Sequence, residues 1–125
     1  MQRLLAGVAC LFGFASVAAA GATEFPKGTF TVRTSEGATW ALGFYERGKF
    51  TLTREGRQAV AGTYSVDHDV VEFSDEKGPA AGKGNLQIGS YKWKLEGKKL
   101  TFKRVKDANR GREMILTSDP LELKE

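Results

Sequence analysis

The sequence of 125 residues predicts an all-β protein: an eight-stranded antiparallel up-and-down barrel, preceded by an N-terminal signal helix. Two observations support this fold class. Apolar and polar residues alternate in short runs through residues 28–116, as in strands with one buried face. Tight-turn sequences separate the runs at residues 35–37, 46–48, 55–57, 67–69 and 96–98. Eight strands joined in this way can close into a ring without free edges.

Residues 1–22 have the composition of a secretory signal peptide. A basic start is followed by an uncharged apolar stretch to Val17 and by small residues that suit signal peptidase, with cleavage after Ala20 or Ala22. A retained membrane anchor is the alternative, because the apolar stretch is nearly long enough to span a bilayer. We therefore expect an exported protein, either periplasmic or secreted.

Cleavage would remove Cys10, the single cysteine of the sequence. The mature chain would then enter an oxidising compartment without a disulfide or a cysteine-based metal site. Residues 23–125 suffice for one hydrophobic core and are too few for two. The sequence thus predicts a single domain that is stabilised by burial alone, and we expect a monomer.

Each predicted strand carries inward-facing positions two residues apart. In chain order these are Phe30 and Val32; Trp40, Leu42 and Phe44; Phe50 and Leu52; Val60, Gly62, Tyr64 and Val66; Val71 and Phe73; Tyr91, Trp93 and Leu95; Leu100 and Phe102; Met114 and Leu116. Gly and Pro interrupt the chain too often for a helix of useful length. Because most connections are short, we expect each strand to pair with its neighbour in sequence.

Two connections are longer, and both are candidates for contacting a partner or forming a lid. They are the glycine-rich loop Ser74 to Gly89 and the polar loop Lys106 to Arg112. Long loops on a rigid scaffold often carry function. The alternative is a pair of mobile connections that merely span the end of the barrel.

Strand motifs and turn glycines follow one another in a set order through the second half of the chain: Gly62-x-Tyr64-x-Val66, Val71-x-Phe73-x-Asp75, Gly78-Pro79, Gly89-x-Tyr91-x-Trp93-x-Leu95-x-Gly97, Leu100-x-Phe102, Asp107 and Arg112. This order resembles exported bacterial lipocalin-like (calycin) domains. The Gly-x-Trp of classical lipocalins is absent, and Trp40 instead follows Ala38-Thr39. Relatives of this type often carry a cysteine in each long loop. Here those sites are Ala80-Ala81 and Ala108-Asn109, so we expect freer loops.

The resemblance implies binding of a small apolar molecule at the barrel mouth. The candidate ligand-binding residues are Trp40, Phe44, Tyr64, Phe73, Tyr91, Trp93, Phe102 and Arg112. The interior of an eight-stranded barrel can be filled by side chains or can hold one small ligand. The many inward aromatic residues favour a filled interior with at most a shallow pocket at one mouth, and a true cavity is the alternative. For Arg112 we favour a structural clamp stacked on an aromatic ring over a ligand contact.

Positive charge is concentrated in residues 83–112, which contain ten Lys or Arg and two acidic residues. Alternation places Lys92 and Lys94 on the outer face of one strand, and Lys103 can join them from the next. The predicted surface basic patch comprises Lys92, Lys94, Lys103, Lys106 and Arg110. It suits anionic lipid, an envelope polymer or an acidic protein. The alternative is a solvated face that keeps the barrel soluble and its edges unpaired. Export argues against nucleic acid.

No residue pattern in the sequence points to catalysis, a metal or another cofactor. The single histidine, His68, lies between two aspartates in a predicted turn, where Asp is favoured for its turn chemistry. Without a second histidine or a retained cysteine, the usual triads and zinc sites are excluded. Asp75 and Glu76 would point to opposite faces of a strand, which is poor geometry for shared acid-base work. We expect a non-catalytic binding protein, or alternatively a surface-binding, inhibitor-like module.

Overall fold

The computed structural model describes residues 24–125, so the predicted signal peptide and signal helix lie outside the described residues. Eight antiparallel strands form a closed barrel in sequence order. They are β1 (Gly28–Arg33), β2 (Thr39–Tyr45), β3 (Lys49–Arg54), β4 (Arg57–Asp67), β5 (Val70–Lys77), β6 (Ile88–Glu96), β7 (Lys99–Lys106) and β8 (Leu121–Leu123). The predicted fold class is confirmed. The same architecture occurs in lipocalins, so the barrel is compatible with the resemblance.

All five predicted tight turns are confirmed. The connection between β2 and β3 is a short 3-10 helix, Glu46–Gly48, and the other four are turns. Between β3 and β4, Glu55 and Gly56 have φ values of 51° and 80°. Positive φ at both central residues is the pattern of a type I′ turn, whose twist matches that of the flanking strands. His68 also has a positive φ, 58°, in the turn between β4 and β5.

The inward positions of the strands form the core as the alternation predicts. Phe30, Phe44, Phe73 and Tyr91 are essentially inaccessible to solvent. Their rings contact one another mainly edge to face, the arrangement that aromatic pairs prefer. The remaining buried apolar residues are Val32, Ala38, Trp40, Leu42, Phe50, Leu52, Ala59, Val60, Val71, Leu100, Phe102, Ile115, Leu116 and Leu121. Val66, predicted to face inward, is instead exposed near the end of β4.

The predicted last strand is wrong. Met114 and Leu116 belong to helix α1 (Arg110–Thr117), and the barrel is closed by β8, which follows the helix. The expectation of no useful helix and of a polar loop through Arg112 is corrected as well. Asn109 caps the helix by accepting a hydrogen bond from the Arg112 backbone N–H at 3.1 Å. Neither α1 nor the 3-10 turns of residues 24–125 are long and apolar enough to cross a membrane.

The up-and-down order divides the connections between two ends of the barrel. One end carries residues 78–87, which join β5 to β6 and include a 3-10 helix, and α1, which joins β7 to β8. We call this the helix end. The turns from β1 to β2 and from β3 to β4 lie at the same end. The opposite end carries the connections from β2 to β3, from β4 to β5 and from β6 to β7, together with the segment before β1, and we call it the Phe25 end. The candidate site lies at the helix end.

Candidate functional site

A cavity of about 180 Å³ lies at the helix end, between α1 and the inner face of β2 to β5. Most of its wall is apolar. The lining residues are Trp40, Leu42, Phe50, Leu52, Val60, Phe73, Asp75, Ala80, Asn109, Gly111, Arg112, Met114, Ile115 and Leu116. Ala80 and Met114 are exposed, so the cavity opens to solvent beside the helix. The barrel therefore combines a filled aromatic interior with a pocket at one mouth.

Trp40, one of the residues that line the cavity, carries a buried polar group. Its side chain is only 9% exposed, and its indole nitrogen Nε1 is buried without a hydrogen-bond partner among the described residues. An unpaired buried donor costs about 1–3 kcal/mol relative to a paired one. The Arg54 guanidinium lies over the indole ring, 5.9 Å from its centroid, and leaves that donor unsatisfied.

The floor of the helix end is a buried ionic cluster centred on Arg112. Its Nη2 lies 3.0 Å from Asp75 Oδ2 and its Nη1 lies 2.7 Å from Asp107 Oδ1. Nη2 also donates to the backbone carbonyls of Leu86 at 3.0 Å and Gln87 at 2.9 Å. Arg112 thus acts as a clamp at the barrel end. Its partners are carboxylates and carbonyls rather than the aromatic ring that the sequence suggested.

The second carboxylate of the cluster, Asp107, has hydrogen-bond donors on both oxygens. Oδ2 accepts a very short hydrogen bond from the Tyr91 hydroxyl, and Oδ1 accepts from the Asn109 backbone N–H at 2.8 Å as well as from Arg112. Burial, reinforced by the bond to Asp107, raises the pKa of Tyr91 far above its usual range. The hydroxyl therefore remains a donor, which the anionic Asp107 requires.

The two long connections are tied to each other and to the sheet by polar contacts. The Leu86 carbonyl accepts from Asn109 Nδ2 at 3.2 Å as well as from Arg112, and the Gly82 N–H donates to Asp75 Oδ2 at 2.7 Å. Residues 78–87 are thereby joined to α1 without a disulfide. The two connections, whose missing cysteines suggested freer loops, are thus joined by exposed and partly buried hydrogen bonds.

Gly89 allows Asp107 and Arg112 to approach the backbone of β6 closely, because it has no side chain. A Cβ at this position would come within 2.4 Å of Asp107 Oδ2 and 2.6 Å of Arg112 Nη1. Any side chain here would displace the ion pair. The glycine in the motif Gly89-x-Tyr91 is therefore explained by the close approach of the carboxylate and the guanidinium to the backbone.

The Phe25 end is closed by aromatic packing instead. The Phe25 ring lies 4.7 Å from Phe44, 5.3 Å from Tyr64 and 5.0 Å from Trp93, measured between ring centroids. Trp93 has its indole donor satisfied by the His68 carbonyl at 3.1 Å. Tyr64 and Trp93 are half-buried here rather than fully enclosed. This end is filled by the rings themselves.

The eight predicted ligand-binding residues do not form one site. Trp40, Phe73 and Arg112 line the cavity. Five others lie outside its wall: Phe44, Tyr64, Tyr91, Trp93 and Phe102. The five residues outside the cavity wall do not lie at one barrel mouth. Some pack at the Phe25 end, and others pack in the aromatic interior between the two ends.

The residues of the predicted basic patch are all exposed, four on two adjacent strands and one on α1. The register places Lys92 opposite Lys103, Lys94 opposite Thr101 and Lys106 opposite Ser90. Arg110 stands apart from them at the start of α1. The lysines of β6 and β7 thus share one outer face of the barrel.

Several residues of the site were missed in the sequence, although signals for them exist. Asp75 continues the inward alternation of Val71 and Phe73, and a charge at an inward position requires a partner. It is buried while the adjacent Glu76 is exposed, as the alternation predicts. Ile115 and Leu116 follow Arg112 by three and four residues, the spacing of one helix face. Nothing in the sequence pairs Arg112 with Asp75.

Comparison with known proteins adds no assignment to this site. The chain matches no family model, no curated protein and no solved structure. The function is therefore inferred from the cavity and its surroundings.

Proposed function

We propose that the protein is an exported, non-catalytic, lipocalin-like binding domain that holds one small apolar molecule in the cavity at the helix end. The observation that carries the proposal is a largely apolar cavity lined in part by Trp40, a residue whose buried indole N–H has no hydrogen-bond partner among the described residues. Ligand sites commonly combine apolar walls with a few polar groups that fix orientation. Trp40 would provide that group here, to an acceptor on the ligand.

The volume of the cavity limits the size of the ligand. Drug-sized molecules occupy pockets of about 300–1,000 Å³, whereas an apolar cavity of about 150 Å³ binds benzene. At about 180 Å³, this cavity fits a molecule of one ring with a short substituent. A long acyl chain or a polycyclic molecule would require α1 to move.

The polar residues of the wall narrow the chemistry further. Arg112 and Asp75 are bound to each other, so the guanidinium is not free to bind a ligand carboxylate. An anionic ligand would also face a cluster that contains two carboxylates and one guanidinium. A neutral molecule with one acceptor, such as a ketone or an ether, is the best match.

Acetophenone and cumene test this proposal, because they have similar shapes and only acetophenone carries an acceptor. The probe is the pair of indole Nε1–H signals in ¹⁵N-labelled protein, assigned with Trp40→Phe and Trp93→Phe variants. Acetophenone should shift the Trp40 signal downfield and saturably. It should bind about threefold to tenfold more tightly than cumene, as expected for one hydrogen bond.

Trp93 provides a matched control within the same chain. Its indole already donates to His68 at the other end of the barrel, so its signal should stay in place. Trp93→Phe should retain the preference for acetophenone, whereas Trp40→Phe should abolish it. Val60→Phe, which adds bulk to the cavity wall, should weaken both probes. A folded protein whose Trp40 signal does not respond to millimolar amounts of either probe would refute the proposal.

A further inference from the structure

We propose that the outer face of β6 and β7 docks on membranes that contain anionic lipid. The lysines of this basic face are Lys92 and Lys94 of β6 and Lys103 and Lys106 of β7, and the exposed aliphatic residues Ile88 and Val105 lie on the same two strands. It is independent of the cavity, and it combines concentrated positive charge with exposed aliphatic side chains.

The register brings like charges together at the centre of the face. Lys92 and Lys103 are directly opposite each other, and Lys106 is opposite Ser90, which lies two residues before Lys92 on β6. Side chains of opposite residues lie about 4.5–5.5 Å apart at Cβ, and like charges in such a pair are destabilising. The repulsion between Lys92 and Lys103 is unfavourable in the free protein. An external anion that bound this surface would neutralise their charge.

Little of this charge is neutralised within the protein. The ion pairs of β6 and β7 in the described part of the chain are Lys94 with Glu96, at 3.3 Å, and Arg104 with Glu113, at 3.2 Å. Lys92, Lys103 and Lys106 take part in none of the ion pairs found among residues 24–125. The register brings two acidic residues near these lysines, Glu72 of β5, opposite Ser90, and Glu96 of β6, opposite Lys99.

Protection of a sheet edge does not account for these lysines. Lysines often prevent edge strands from pairing with other chains. In this closed barrel, however, β6 is paired with β5 and β7, and β7 is paired with β6 and β8. Because β6 and β7 each have a paired strand on both sides, neither exposes an edge at Lys92 or Lys103 that a lysine would need to protect.

Exposed aliphatic residues on the same strands favour lipid as the partner. Ile88 is 50% exposed and Val105 is 52% exposed. Val105 is the extra residue of a β-bulge, since Arg104 pairs with Tyr91 and Lys106 pairs with Ser90. Proteins that bind the membrane interface combine apolar side chains near the acyl boundary with basic residues at the headgroups. A soluble polyanion would use the charges alone.

Vesicle co-sedimentation tests the proposal with the full chain as it is isolated. Vesicles of phosphatidylcholine alone are compared with vesicles that also contain phosphatidylglycerol. We expect binding to the anionic vesicles only, and loss of binding when salt is raised from about 0.1 M to about 1 M, where the Debye length falls from about 10 Å to about 3 Å. Equal binding to both kinds of vesicle, or to neither, would overturn the proposal.

Charge reversal then identifies the surface. Lys92→Glu with Lys103→Glu should weaken binding at least about tenfold, since each lysine near an anionic membrane contributes about fivefold. The matched control is Lys49→Glu with Lys124→Glu, which makes the same change in net charge at exposed positions of β3 and the C-terminal segment. If both pairs of reversals weaken binding equally, net charge rather than this face is responsible, and the proposal fails.

The aliphatic residues distinguish a membrane from a polymer. Ile88→Ser with Val105→Ser keeps every charge and should weaken vesicle binding several-fold without affecting binding to dextran sulfate, a soluble polyanion. If this variant binds vesicles as the parent does, the face recognises charge alone and the membrane assignment is wrong. Urea unfolding of every variant confirms that the barrel is intact in each comparison.

Discussion

The two ends of the barrel are closed by different interactions. At the helix end, Arg112 holds α1 and residues 78–87 over the sheet through two buried ion pairs and two carbonyl contacts. At the Phe25 end, one phenyl ring inserts among Phe44, Tyr64 and Trp93. The first closure adds polar, directional contacts to the apolar packing of Ile115 and Leu116, and the second is apolar.

This difference is consistent with the position of the cavity at the helix end. Hydrogen bonds fix the position of α1 at defined distances and do not require the space beneath it to be filled. Aromatic packing gains its free energy by filling space, so it leaves no room between the rings. Polar contacts at the edge of α1 can therefore hold the helix over a pocket that is not filled. At the Phe25 end, the packed rings themselves occupy the space.

The largest expected effect comes from Arg112→Met, which should destabilise the barrel by about 3–5 kcal/mol because it leaves two carboxylates buried without their cation. Urea unfolding measures the loss. Amide hydrogen exchange should accelerate first in α1 and residues 78–87, and not at the Phe25 end.

The control is Arg104→Met, which removes the exposed ion pair with Glu113 and should cost less than about 1 kcal/mol. If Arg112→Met fails to fold, Arg112→Lys retains the charge and should give an intermediate loss. Similar small losses for the Arg104 and Arg112 variants would show that the buried cluster does not hold the helix end.

Phe25→Ala should break the other closure and cost about 2 kcal/mol, less than a fully buried Phe→Ala substitution because Phe25 is half-buried. In a Trp40→Phe background, the fluorescence of Trp93 should move to longer wavelength as water reaches it. Exchange of the α1 amides should not change. Faster exchange in α1 would mean that the two ends are coupled, contrary to the comparison.

Tyr91→Phe should have the smallest effect, about 1–2 kcal/mol near neutral pH, because Asp107 loses one donor and keeps Arg112 and Asn109. Burial and the bond to Asp107 raise the pKa of Tyr91, so the folded protein retains a proton that the unfolded chain releases above about pH 10. The contribution of Tyr91 is complete below that pH and is lost as pH rises further.

Unfolding free energies between about pH 8 and about pH 11 check this dependence. Above about pH 10, the parent should lose stability more steeply than Tyr91→Phe, by up to about 1.4 kcal/mol per pH unit. Parallel curves for the two proteins would contradict a protonated, buried Tyr91.

Most of the barrel could be predicted because alternation and turn chemistry are local properties. Seven strands follow the runs that contain Phe30 through Phe102, and each tight turn lies where Gly, Asp or Glu interrupts a run. The last strand was misplaced because Met114 and Leu116 fit a period of two, although Met114 is exposed and Ile115 between them is buried. Asn109 as a helix cap was the signal that favours α1 over a strand.

The site could be predicted only in part because it depends on contacts that are distant in sequence. The alternation places Trp40 and Phe73 inside the barrel, but it does not show at which end each side chain meets open space. The link between Arg112 and Asp75 joins residues on α1 and β5 across the ring. Predicting this pair requires the order of the strands and the position of α1. The sequence pattern did not reveal α1.

The brevity of the final strand has a consequence for how the chain reaches this state. β8 has three residues, and it closes the ring by pairing Leu123 with Phe30 and Leu121 with Leu100. The first of these pairings spans nearly the whole described chain, so it brings a large entropic cost of loop closure and belongs to a slow step. A chain whose residues 121–123 have not yet been synthesised would therefore have an unsealed sheet, so closure of the ring comes late in folding.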